Sequence, residues 1–168
     1  MQAYQEICRR IVTPVDSSIS HRVWEAALSA FEPDPPIVDG VGETLVTLRN
    51  RGFRLVLLTK GIPELQFRRI KSSGLQSHFD VVEIVDEKTA DVIVEILKSL
   101  KVNPNWAWMV GNSMRSDILP GLAAGMRVIW IKTHTWEYER ALDHIVDDRI
   151  VEALSMAQVP GLIRRQRQ

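Results

Sequence analysis

Phe53-Arg-Leu-Val-Leu-Leu-Thr-Lys-Gly61 is the stretch on which the fold turns. Phe53 to Leu58 is a short apolar run of the kind that is buried on both faces in a parallel sheet, and Thr59-Lys-Gly61 reads as a turn with a polar tip. On its N-terminal side, Val41, Leu45 and Leu48 recur at i, i+4 and i+7, and Gly52 supplies the left-handed stop of a helix. On its C-terminal side, Pro63 suits a first helical turn, and the helix runs to about Ser73 before Gly74 ends it. The cycle then repeats. A strand at Val81–Val85 precedes a helix from Lys88 to Leu100, and a strand at Ala107–Val110 precedes a helix from about Arg115 to Ala124. A fourth strand follows at Val128–Ile131. Strands alternating with helices through short loops predict an α/β domain with a parallel sheet.

The regularity stops upstream at Glu32–Pro36, where EPDPP sets three prolines among two acids, a sequence that resists helix. Before it, Val23, Trp24, Ala27, Leu28 and Phe31 form a stripe on an expected amphipathic helix capped by Ser20. The expected domains are therefore 1–34, a helical piece, and 35–168, the α/β core. At 168 residues the chain suits one full core, and 21 basic against 21 acidic residues leave no net charge to attract nucleic acid or an anionic membrane. Five tryptophans without a basic stripe read as core and loop anchors, not a base-stacking platform. The lone Cys8 excludes an internal disulfide, and no apolar stretch is long enough to span a bilayer, so a cytoplasmic protein is expected.

In an open α/β sheet, ligands bind beyond the carboxyl ends of the strands. Thr59, Lys60 and Gly61 follow the first strand, Glu87 and Lys88 the second, and Asn112, Ser113 and Asp117 the third, so all are expected at one mouth. A hydroxyl and turn N–H groups can donate to phosphoryl oxygens, a lysine can neutralise their charge, and a carboxylate with an amide oxygen can hold a hard cation such as Mg²⁺. Each residue also has an ordinary structural role open to it: Thr59 and Asn112 as helix caps, Lys88 as a solvated helix start, Asp117 at the positive end of a helix.

The order LLTKG, then Lys88 about one strand–helix unit later, then VGNSMRSDILPGLAAGM resembles motifs two, three and four of the haloacid dehalogenase superfamily. The resemblance runs from about Pro35 to the end of the chain, with GNSMRSD its most specific part. It implies a Rossmann-like three-layer core with a mobile cap, of which the helix around Trp24 is a remnant. It also implies a Mg²⁺-dependent phosphatase of small phosphorylated metabolites working through an aspartyl-phosphate. On this resemblance Thr59 and Lys88 are the catalytic positions, Thr59, Lys60, Gly61 and Lys88 bind phosphate, and Asp117 and Asn112 take the metal.

The family's first motif is an apolar strand ending in Asp-x-Asp, and no such pair follows an apolar strand here. Asp34 stands in EPDPP and Asp39 in the turn before the Val41 helix; Asp16 would need a strand running through Pro14, which cannot donate to a central ladder. Without that aspartate the remaining groups can hold a phosphate but have no nucleophile to receive it. The resemblance places the first strand between those ending at Thr59 and Val110. Its loss is expected to leave two unpaired edges, to be met by a shortened start, another segment, self-association through those edges, or a sheet that closes up. The alternative function is a non-catalytic module that binds phosphate or protein on the same core.

Overall fold

The computed structural model describes residues 17–29, 36–134 and 145–163 of the chain. Helix α1 spans Ser17–Ser29. Ser20 therefore lies inside the helix and does not cap it, and Val23, expected on the inward stripe, is 47% exposed. Phe31, Asp16 and the boundary placed at 34/35 fall outside the described residues.

Helix α2 (Val41–Asn50) buries Thr44, Leu45 and Leu48, and Gly52 ends it with a φ of 75°, a conformation that only glycine adopts without strain. Strand β1 is Val56–Lys60, later than the apolar run that announced it. Two bonds account for the shift. Asp80 claims the backbone of Leu55, whose N–H donates to Oδ2 at 2.7 Å while the Asp80 N–H donates back to the Leu55 carbonyl at 2.8 Å. At the other end Thr59 and Lys60 pair in register with Ile84 and Val85, so these two residues belong to the strand and only Gly61 to the turn.

Helix α3 (Pro63–Ser72) starts on its proline, β2 is Val81–Val85, and α4 (Ala90–Ser99) is capped by the Thr89 hydroxyl, which accepts from the Val92 N–H. Lys88 thus precedes the helix it was expected to begin. Strand β3 is Trp108–Gly111. The expected helix after it is divided into a π-helical turn at Met114–Ile118 and a short α5, Leu119–Ala123. Strand β4 (Arg127–Ile131) follows. The sequence reading had no counterpart for β5 (Ile150–Ala153), which precedes the single turn α6 (Val159–Leu162).

Among the described residues all pairings are parallel, and they form two separate sheets: β1 with β2, and β3-β4-β5 with β4 in the middle. Strand β4 shows the layering. Ile129 and Ile131 pack with Leu45, Leu48 and Val159 on one face, whereas Val128 and Trp130 pack with Met114, Ile118 and Leu122 on the other. Burying each such side chain contributes about 1.5–3 kcal/mol relative to exposure. No ladder joins β1 to β3 among the described residues.

An Asp147–Arg149 clasp holds the start of β5. The Arg149 backbone N–H and Nε donate to Asp147 Oδ1 and Nη2 to Oδ2, while Nη1 reaches the Leu122 carbonyl. Bonding from the guanidinium first, and then from the backbone N–H, lowers the Asp147 pKa to about 2. A depressed carboxyl stabilises the fold fully above its unfolded value near 4, and that contribution is lost as pH falls from there through about 2. The protection factors of the amides at residues 150–153, taken against intrinsic exchange at each pH, are expected to fall across that window. In Asp147→Asn they should be low already at pH 5 and flat below; an unchanged profile in the variant would refute the clasp.

Candidate active site

The carboxyl ends of β1, β2 and β3 face one mouth. Lys88, in the loop after β2, sends Nζ to Asp117 Oδ1 at 2.6 Å, with the two side chains only 15% and 8% exposed. Lys60, at the end of β1, pairs with Glu87 at 3.1 Å in a far more exposed setting. These two pairs link the loops at the ends of all three strands.

Asp117 is held by its turn. The Ile118 N–H reaches back five residues to the Ser113 carbonyl, giving the π geometry, and the Asp117 N–H donates to the same carbonyl. The Ser113 N–H donates to Asp117 Oδ2 at 3.1 Å, and the Ser113 hydroxyl caps the turn by accepting from the Ser116 N–H. The carboxylate lies directly against the backbone of Gly111, where a β-carbon would stand 2.3 Å from Oδ2. Asn112 offers its carbonyl to Trp130 Nε1 at 3.2 Å.

Thr59 faces a different neighbour. Its hydroxyl donates to Gln66 Oε1 at 3.2 Å, and the Gln66 amide lies over Gly61. Among the described residues Thr59 thus engages Gln66 and not the Lys88–Asp117 pair. Gln66 was missed in the sequence; its one signal is its position a turn into the helix that follows Thr-Lys-Gly. The structural roles left open for single residues do not hold for two of them: Thr59 lies in a strand instead of capping a helix, and Lys88 is largely buried instead of solvated.

As a metal centre the mouth is incomplete. Among the described residues no group of three or more His, Cys, Asp or Glu side chains comes together. Asp117 already accepts from Lys88 and from the Ser113 N–H, so it offers one oxygen arm where Mg²⁺ demands six ligands from carboxylates, waters and phosphates. The residues present do not by themselves fit the cation.

A family model described as haloacid dehalogenase-like hydrolase matches residues 9–131. The glyceraldehyde 3-phosphate phosphatase of Methanothermobacter thermautotrophicus is 32% identical over 107 residues, which are 61% of this chain and 46% of that protein. The phosphoserine phosphatase of Thermus thermophilus is 33% identical over 92 residues, 52% of this chain and 37% of that protein. The chain thus spans half or less of the length of these curated relatives. A crystal structure of a haloacid dehalogenase-like family hydrolase from Xanthomonas campestris superposes with a TM-score of 0.71 at 24% identity, covering 94% of this chain and 67% of the other. Fold, ordered motifs and family match agree: the chain belongs to the haloacid dehalogenase-like hydrolases.

Proposed function

We propose that this chain carries the phosphate-holding part of a Mg²⁺-dependent phosphatase of small phosphorylated metabolites. The observation that supports it is the buried Lys88–Asp117 pair at the mouth of three parallel strands. Lys88 is the cation for the phosphoryl oxygens, and Thr59 and the Gly61 N–H are donors beside it. Lys60 is an outer charge that reaches the anion on leaving Glu87. Asp117 and Asn112 are one arm of a metal site that needs a further carboxylate. Residues 1–34 are the end of a cap and 35–168 the core. A cytoplasmic setting goes with this reading; among the described residues no helix is long and apolar enough to cross a membrane.

A second reading, a non-catalytic binding module, is favoured by one observation: among the described residues the carboxyl ends of β1 and β3 present no carboxylate pair to attack phosphorus. Calorimetric titration with orthovanadate and Mg²⁺ tests the mouth under both. Thr59→Val and Lys88→Met, each checked for a native circular dichroism spectrum, are expected to weaken binding at least tenfold, and Lys60→Met two- to threefold. Unchanged affinity in the first two would refute the mouth. Release of phosphate from an aryl phosphate separates the readings: none is expected from the chain alone, and turnover abolished by Asp16→Asn would place the nucleophile within residues 1–16.

A further inference from the structure

The Thr59 hydroxyl has a single hydrogen to give, and Gln66 Oε1 accepts it at 3.2 Å. A proton so engaged cannot serve a phosphoryl oxygen at the same time. Both partners stand on regular backbone. Thr59 is in register with Ile84 in β1, and Gln66 lies one turn into α3, its N–H donating to the Ile62 carbonyl at 3.0 Å, on a helix anchored by buried Leu65 and Ile70. The far arm of the amide meets Gly61, where a β-carbon would stand 3.0 Å from Nε2 and where a φ of 135° already favours glycine. The amide is thus laid between the hydroxyl and the tip of the loop, with its oxygen toward Thr59 and its nitrogen toward Gly61. What remains to turn is the amide plane, a torsion that is broad and roughly two-fold, so that half a turn is inexpensive in itself.

Half a turn exchanges the two arms. Nε2 then donates to the Thr59 oxygen, and the hydroxyl proton is released to another acceptor. We infer that Gln66 is a positioning residue for the anion at this mouth: by reversing its amide it converts the Thr59 hydroxyl from a donor to Oε1 into a donor to a phosphoryl oxygen, and holds the hydroxyl oxygen in place from behind. The residue type is what the task requires. An amide carries both an acceptor and a donor, whereas a carboxylate only accepts and an ammonium or guanidinium only donates. The inference rests on the phosphate reading of the mouth and adds to it a residue that acts through Thr59.

Orthovanadate with Mg²⁺ is the probe, added at pH 8 to the full chain labelled with nitrogen-15. At saturation one Nε2 proton of Gln66, assigned by its loss in Gln66→Met, is expected to move downfield in the parent as it gains the Thr59 oxygen, and to stay in place in Thr59→Val. Gln66→Met should weaken binding at least fourfold in the parent but less than twofold in Thr59→Val, because its effect passes through the hydroxyl. Gln66→Glu, ionised at this pH and able only to accept, should lose at least tenfold in the parent and less than threefold in Thr59→Val, where charge repulsion alone is left. Losses of equal size in the two backgrounds would overturn the role of Gln66 and leave the mouth standing. So would an unmoved amide signal in the saturated parent, a measurement that needs no variant to fold. Vanadate binding that Thr59→Val does not weaken, or a parent that binds none, would overturn the mouth and this inference together.

Discussion

Gly111→Ala is expected to lower the melting temperature by roughly 10 °C, the equivalent of about 3 kcal/mol in a chain of this size. A β-carbon at residue 111 would stand 2.3, 2.4 and 2.5 Å from Oδ2, Cγ and Cβ of Asp117. None of those atoms can swing away cheaply. The carboxylate is buried and fixed by Lys88 and the Ser113 N–H, and its Cβ is part of a turn whose backbone bonds converge on the Ser113 carbonyl. The substitution must push Asp117 off Lys88 or distort the π turn, and either outcome should reduce vanadate affinity as well as stability. The companion variant is Asp117→Gly, which removes all three clashing atoms. The double variant G111A/D117G should lose less than the sum of the singles, with a coupling of about 2 kcal/mol. Additive losses would mean that the glycine is needed for some reason other than the carboxylate.

That close approach could not be read from Gly111-Asn-Ser-Met-Arg-Ser-Asp117, because a spacing of six does not say that the intervening turn is π-helical. Other features were legible to the residue. Val81–Val85 stands between a 3₁₀ turn and a loop, and its bounds as a strand are those read from its apolar run. Gly52, Gly74 and Gly125 all adopt positive φ at the helix ends where they were expected. Strand β1 was displaced because a tertiary bond decided it: Asp80, 25 residues away, takes the Leu55 N–H. Strand β5 was invisible for a related reason. Four residues with an exposed Glu152 carry little apolar signal, and what makes them a strand is the register with β4, the Asp147–Arg149 clasp and an ion pair from Lys132 to Glu152 at 2.7 Å. At the site, the convergence of the Lys88 and Asp117 loops followed from strand direction and from the resemblance, whereas the choice of Gln66 as the partner of Thr59 depended on side-chain packing that no pattern encodes.

The second large effect is expected at the Lys88–Asp117 pair itself. Removing one member of a buried ion pair leaves the other without its counter-charge, a loss of about 3–5 kcal/mol when burial is complete, and with Lys88 15% exposed the lower end, about 3 kcal/mol, is the expected cost of Asp117→Asn or Lys88→Met. The two singles differ in what they strand. In Asp117→Asn an ammonium loses its one described counter-charge, whereas in Lys88→Met the carboxylate keeps the Ser113 N–H. Asp117→Asn should therefore be the more damaging. Combining them removes both charges, leaves an amide oxygen for the Ser113 N–H, and should restore most of the lost stability, since a neutral buried pair of similar volume avoids the desolvation that the charges incur. Thermal melts of the four proteins decide the matter. If K88M/D117N melts within a few degrees of the parent while failing to bind vanadate, the ion pair serves the mouth and not the fold. Should the double variant fall by the full sum of the singles, Lys88 and Asp117 would instead be holding the two half-sheets in place, and the assignment of this pair to phosphate would lose its support.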